Sequence, residues 1–327
     1  MIPHSAPTVG EAEAAAAARV IHSGHLSQGR EVAAFESECA AFVGRRFAVA
    51  VSSGTSALHL ALAALELPAH SRVAVPAYAC ASLSTAVHLC GLVPSFMDIA
   101  DGYNADIAHC PPDAGAVVVP HLFGLPARTP TARLWIEDIA QSIGGPTGQG
   151  GLLTVASFYA TKLMTTGEGG MVLTDDLSLA EHVRDRRDYD NRDDFKTRYN
   201  YKMTDVQAAI GREQLRRLPG FVDRRRDVAS RYHEAFAGLP VVCPGGEGHV
   251  YFRYVIATDR RAALQRHLTE AGVESKRPVH CPSHHYFGGQ FPESDRAHER
   301  CLSLPIYPTL TAESRQRVVE AVRRFFE

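Results

Sequence analysis

No apolar run in this chain of 327 residues approaches membrane-spanning length. The first residues also lack the charged-then-apolar pattern of an export signal, so a cytoplasmic protein is expected. Neither sign of charge dominates: 34 basic side chains face 36 acidic ones. That balance leaves no bulk field to gather nucleic acid or an anionic membrane. Seven cysteines, an odd number without paired spacing, argue against a disulfide scaffold and for free thiols. There is no internal repeat and no low-complexity tail. The length allows one large or two ordinary domains with a substantial core.

What is present, from Phe47 onward, is an alternation of strand, loop and helix. Apolar runs at Ala48–Val51, Arg72–Val75, Pro94–Asp98, Ala116–Pro120, Leu134–Asp138, Val155–Tyr159 and Gly170–Thr174 predict seven strands. Several are continuously apolar, as strands of a mainly parallel sheet sandwiched by helices must be, so the expected class is α/β. Between Gly124 and Trp135 only ten residues remain, two of them prolines. A parallel crossover needs more, so a bare loop is expected there. Ahead of the sheet, Glu11–His22 and Arg30–Phe42 predict two helices, the second with Val32, Phe35, Cys39 and Phe42 on one face.

Beyond the sheet, Leu179–Arg187 predicts a charged helix, followed by a charged loop from Asp188 to Tyr199. A long amphipathic stretch from Asp205 to Phe236 is expected to break near Pro219-Gly220. Its Arg224–Arg226 run reads as a solvated face. The break suggests a large domain over 1–220, carrying the N-terminal helical segment, and a smaller α+β domain over 221–327. In the latter, strands are expected at Val250–Ala257 and Gly272–Arg277, helices at Arg260–Ala271 and Thr311–Phe326, and an irregular segment up to Pro292. Thr311 and Glu313 mark the start of the last helix.

Three stretches carry chemistry. Ser52-Ser53-Gly54-Thr55-Ser56 is a hydroxyl-rich turn between a strand and a helix. It suits either a phosphate cradle of free backbone N–H groups or an ordinary helix N-cap. Glu137-Asp138 ends a strand, where α/β folds place ligand-facing groups. An acid there can pair with a protonated ring nitrogen or cap a helix, and Gln141 follows three residues later. Lys162 lies in Ser157-Phe158-Tyr159-Ala160-Thr161-Lys162, between two apolar strands. Partial desolvation there would lower the pKa of its amine and free the lone pair to attack a carbonyl. Together, the phosphate-cradling turn, the strand-end acid, Ser157 and the lysine describe a pocket for pyridoxal 5′-phosphate. The cluster His280, Cys281, His284, His285 lacks the companion ligand pair of structural zinc sites, and no metal is expected.

The chain resembles the DegT/StrS family of sugar aminotransferases, within the aspartate-aminotransferase-like fold type I of pyridoxal-phosphate enzymes. The resemblance runs nearly end to end, through Pro76-Ala77-Tyr78, Gly167-Glu168-Gly169-Gly170, Asn200-Tyr201-Lys202-Met203-Thr204-Asp205 and Leu302-Ser303-Leu304-Pro305 besides the stretches above. It implies that Lys162 holds the cofactor as a Schiff base and, once released, moves the proton. It also implies that Asp138 pairs with the pyridine nitrogen, that Gln141 contacts the 3′ oxygen, and that Gly54, Thr55 and Ser157 hold the phosphate. Asn200 and Lys202 resemble residues that reach the neighbour's cofactor, which implies a homodimer with shared sites. His280 and Ser27 are the candidates on the substrate side. Three departures stand out. Cys80 occupies a position where relatives commonly stack an aromatic ring. Lys202 replaces a frequent arginine and so loses its bidentate fork. The loops at Leu125–Leu134 and Gly144–Thr154 are short. The activity implied is amino transfer from glutamate or glutamine to a keto sugar, with a nucleotide-linked sugar expected. A keto-cyclitol or other small cyclic ketone, or a dehydratase-like or regulatory protein that does not transaminate, are the alternatives.

Overall fold

The computed structural model describes residues 1–131 and 134–327. Two helices lead: α1 (Glu11–Ser23) and α2 (Arg30–Val43). Then β1 (Phe47–Val51), α3 (Gly54–Ala64), β2 (Arg72–Pro76), α4 (Ser82–Leu89), β3 (Val93–Met97), β4 (Ala114–Pro120), β5 (Trp135–Asp138), β6 (Leu153–Ser157) and β7 (Gly170–Thr174) follow. All seven expected strands form, in one sheet of order β1-β7-β6-β5-β4-β2-β3. The pairs β2–β3, β2–β4, β4–β5 and β5–β6 are parallel. Only β7 runs against its neighbours, β1 and β6.

Strand periodicity separates two apolar layers. Ala48, Ala50, Ala156, Met171 and Leu173 face one side, packed with Val32 and Phe35 of α2. Val49, Val51, Val155 and Val172 face the other, packed with Leu58, Leu60 and Leu62 of α3. Burial on both faces is why these strands read as continuous apolar runs. The described part of the segment between Gly124 and Trp135 holds neither helix nor strand, apart from a 3₁₀ turn ending at Gly124. Its Ala132 and Arg133 lie outside the described residues.

The rest comprises α5 (Leu177–Arg187), α6 (Asp205–Phe236), β8 (Tyr254–Ala257), α7 (Arg261–Glu270), α8 (His284–Phe287), α9 (Pro292–Arg300), β9 (Cys301–Leu304) and α10 (Ala312–Phe326). Strands β8 and β9 form a separate antiparallel pair, with Val228, Tyr232 and Phe236 of α6 in the apolar cluster beside it. Here the sequence expectations need correction. Helix α6 continues through Pro219-Gly220 without a break, started by a reciprocal cap between Thr204 and Gln207. Its buried Leu218, Phe221 and Val222 hold it together on both sides of the proline. Arg225 is buried as well, donating to the carbonyls of Tyr251, Phe252 and Ile306. Gly272–Arg277 is no strand; only single bridges from Val273 and Lys276 occur there. The expected strand at Val250–Ala257 begins only at Tyr254. The amides of Val250 and Arg253 instead donate to Gly124 and Phe123, tying this segment to the loop after β4. Helices α4 and α9 had no clear sequence signal. Among the described residues, no helix is long and apolar enough to cross a membrane.

Buried Asp205 accepts from the amides of Gly29 and Val32 and so caps α2 from the start of α6. Replacing a cap of this kind costs about 1–2 kcal/mol. Asp205→Ala should lower stability by that amount in urea melts, and Asp205→Asn by clearly less.

Candidate active site

The carboxyl ends of β1, β5 and β6 meet at one edge of the sheet. Val51 and Ser157 both lie opposite Gly170, and Asp138 lies beside Val155. This is where open α/β sheets bind ligands. A cavity of about 220 Å³ opens there, lined by Gly54, Thr55, Cys80, Asp138, Gln141, Ser157 and Lys162, with Tyr159 and Glu168 at its margin. Six residues expected in one site from three separate stretches are thereby brought together.

One wall is the first turn of α3. Ser53 caps it, its Oγ accepting from the amide of Ser56 at 3.0 Å. The amides of Gly54 and Thr55 donate to no acceptor among the described residues. Both readings of this turn therefore hold: the serine caps the helix, and two N–H groups remain free for an anion. Gly54 must be glycine here, because a Cβ would fall 2.7 Å from the Cβ of Ser157. Ser157 is buried, and its hydroxyl has no hydrogen bond to the described residues.

The opposite wall carries the charges. Lys162 is half-buried, with its Nζ turned inward 5.3 Å from the centre of the Phe252 ring. No acceptor among the described residues bonds it, and burial lowers its pKa. Burial likewise raises the pKa of Asp138, partly offset by the amide of Ala140 at 2.9 Å and by the nearby Lys162. A desolvated amine and a desolvated acid thus face one cavity, with no direct hydrogen bond between them.

Gln141 is oriented by its surroundings. Its Oε1 accepts from the amide of Phe123 at 2.9 Å, which leaves the NH₂ end free. Phe123 adopts the left-handed conformation, φ 59°, that aims this amide. Next to Asp138 on β5, Glu137 points to the other face and has a structural task. It accepts from the amides of Gly148, Gly150 and Gly151 and from Nε2 of His121, which bring its pKa down to about 2. The amide of Ala127 donates to Nδ1 of His121, so that ring is neutral with its proton on Nε2. Glu137 and His121 thereby shape the short Gly144–Thr154 loop, a pairing that no local sequence pattern reveals.

The other expected site residues lie elsewhere. Asn200, His280 and Ser27 are exposed and do not line the cavity. Lys202 also lies outside it, its Nζ held by Asp188 at 2.6 Å and Asp190 at 2.9 Å. Cys80 does line the cavity, with its Sγ 2.9 Å from the Ser82 hydroxyl. Cys281 is free, like the other six cysteines.

The residues fit pyridoxal 5′-phosphate: an unpaired lysine amine, a buried acid across the cavity, and free amides and a hydroxyl in a space that any side chain at Gly54 would fill. The fold and site define a fold type I pyridoxal-phosphate enzyme. Residues 7–323 match the DegT/DnrJ/EryC1/StrS aminotransferase family, and the chain belongs to it. The chain is 31% identical to the UDP-N-acetyl-3-dehydro-alpha-D-glucosamine 3-aminotransferase of Acidithiobacillus ferrooxidans, over 94% of this chain and 91% of that protein. The aminotransferase TlmJ from Streptoalloteichus hindustanus superposes with a TM-score of 0.93 at 30% identity, covering 99% of this chain and 98% of that one. Bacillus subtilis NtdA, solved with bound cofactor PMP, gives 0.91 at 26% identity, covering 97% of this chain and 83% of that one.

Two outcomes test this geometry. Overpacking of this kind costs about 1–3 kcal/mol, so Gly54→Ala should weaken cofactor retention about tenfold or more. Gly10→Ala, whose Cβ meets nothing within 4 Å, should leave retention unchanged in the same dialysis assay. The second outcome concerns pH. The raised pKa of Asp138 in the fold makes its contribution to stability complete below the ordinary carboxylate range and lost as pH rises through the folded value. Melting of cofactor-free Asp138→Asn should therefore gain on the parent at pH 7 relative to pH 3.5.

Proposed function

We propose that the protein moves an amino group from glutamate or glutamine to a keto sugar carried on a nucleotide, in the cytoplasm. The observation that carries the reading is the unpaired Lys162 amine facing Asp138 across the cavity, beside the free amides of α3. The sugar assignment is supported by the match with the Acidithiobacillus enzyme, which acts on a keto amino sugar.

When bound, the cofactor supplies an electron sink for the negative charge left as a substrate carbon loses its proton. The protein's own groups divide the remaining work. Gly54 and Thr55 amides, with the Ser157 hydroxyl, hold the phosphate at the positive end of α3. Asp138 is placed to hold a proton on the ring nitrogen: the positive charge would keep its carboxylate ionised against the penalty of burial. Gln141 offers its NH₂ to the 3′ oxygen, since its carbonyl end is already taken by Phe123. Burial lowers the pKa of Lys162 and so favours its neutral amine, which would hold the cofactor's aldehyde and, when free, would take the substrate proton and return it.

Asn200 and Lys202 are assigned to the cofactor of a second copy, in a homodimer with two shared sites. Asn200 is exposed and Lys202 is held in a charged loop by Asp188 and Asp190, both away from their own cavity, which supports that role. His280 and Ser27 are assigned to the keto substrate, and their exposed positions suit residues that meet it at a dimer surface. The chain divides into a cofactor-binding part, 1–220, and a smaller part, 221–327. The separate β8–β9 pair with its own apolar cluster supports the division, with α6 continuous across the boundary.

The test is spectroscopic. The visible absorbance of bound cofactor should bleach when glutamate or glutamine is added to wild type, and return with the keto substrate. Lys162→Ala should lose turnover entirely while retaining phosphate-anchored cofactor. Full activity in that variant, or no bleaching of wild type with any amino donor, would reject the mechanism.

A further inference from the structure

Two histidines and an aspartate converge outside the cavity, where α8 meets α9. His284 and His285 both direct Nε2 at Oδ1 of Asp295, each at 2.9 Å. The three atoms lie within 4.8 Å of one another. In the sequence the histidine pair had no companion ligand nearby; the fold brings one from α9. His284 is buried, its ring centre 5.1 Å from that of Phe291, and Asp295 is the only polar partner of that ring among the described residues. His285 and Asp295 keep an open side, with 39% and 49% of their side chains exposed. The neighbouring His298 is already engaged, its Nε2 accepting from Arg277 at 2.8 Å.

Two imidazole nitrogens with one carboxylate oxygen make a donor set for a divalent cation of the zinc class, whereas calcium and magnesium take oxygen ligands. At bonds of about 2.0–2.1 Å, the ligands of a tetrahedral zinc stand about 3.4 Å apart. Opening the cluster by about half an ångström, on its exposed side, reaches that spacing and leaves the fourth position to water. Each ring would then bind through the Nε2 lone pair and carry its proton on Nδ1. Water can accept from the exposed His285, but Nδ1 of His284 is buried without a partner. A metal-bound histidine without such an acceptor binds about 10–100-fold more weakly. The cluster therefore suits a micromolar site that fills and empties with metal supply.

The cluster lies between two anchors on the large sheet. The amide of Ser283 donates to the carbonyl of Ala77 at 2.8 Å, three residues before Cys80 in the cavity wall. Asp98, just past β3, accepts from the amides of Glu293 and Ser294 at 3.0 and 2.8 Å and so caps α9. Between the anchors, Gly288 and Gly289 have φ of 83° and 106°. Phe287 stacks there on His88 of α4, with ring centres 5.3 Å apart, and the first residues of α4, Ser82 and Leu83, line the cavity. We propose that His284, His285 and Asp295 form a site for a zinc-class cation that ties α8 to α9 and locks the Gly288-Gly289 loop against α4.

The experiment titrates untagged, cofactor-loaded protein with zinc chloride in a calorimeter, after dialysis against a chelator. One zinc should bind per chain with micromolar affinity. His285→Gln and Asp295→Asn should each weaken binding at least tenfold with unchanged melting curves, whereas His88→Gln, an exposed histidine beside Phe287, should bind as wild type does. Cobalt chloride in place of zinc should give d–d bands without thiolate charge-transfer bands, since no cysteine belongs to the cluster. Zinc should also slow limited proteolysis at Gly288-Gly289 at least fivefold in wild type and leave Asp295→Asn unprotected. No saturable binding, an affinity unchanged in Asp295→Asn, or thiolate bands with cobalt would overturn the site. Binding without protection would overturn the locking of the loop. None of these readouts involves turnover, so the metal site and the enzymatic function fail separately.

Discussion

The structure depends on keeping one lysine amine out of water without giving it an ion-pair partner. An ordinary lysine would satisfy itself with a carboxylate or with solvent. Lys162 has its Nζ beside an aromatic ring, and Asp138 is near enough to attract it and not bonded to it. The rest of the cavity keeps that arrangement from collapsing. The amide of Ala140 holds Asp138, and the apolar layers on both faces of the sheet hold the strand ends that carry both groups.

Adjacent acids on β5 divide two tasks by the alternation of the strand. Asp138 faces the cavity and has its pKa raised by burial, whereas Glu137 faces a glycine-rich loop and has its pKa lowered by three amides and a histidine. The difference is set by hydrogen-bond donors: Glu137 meets many, Asp138 few. The same contrast recurs in the arginines of α6, where Arg224 pairs with Asp227 at the surface and Arg225 is buried against carbonyls. Charge in this protein is deployed by burial and not by bulk excess.

The lining of the cavity was legible in the sequence because each part is local. A glycine after a strand, an acid at a strand end and a lysine before a glycine loop each announce a backbone environment within a few residues. The seven strands were legible for the same reason, since burial on both faces leaves no polar alternation. The break predicted at Pro219 failed because a proline removes one amide bond and crowds one turn, a local cost that the packing of Leu218, Phe221 and Val222 offsets. Helix α9 was missed because its charged surface hides a two-residue buried face, Ser294 and Ala297.

By itself, the order of residues determined the sheet, the helix whose first amides stay free, and which lysine amine faces the cavity. These are set by short-range backbone preferences and by which side chains tolerate burial. Only the tertiary structure decided that Gly54 and Ser157, about a hundred positions apart, must touch, and that Gln141 is turned by an amide on Phe123. It also decided that the rings of His284 and His285 meet the carboxylate of Asp295. Those outcomes depend on where separate strand ends and loops meet, and no stretch of sequence contains the distance between them.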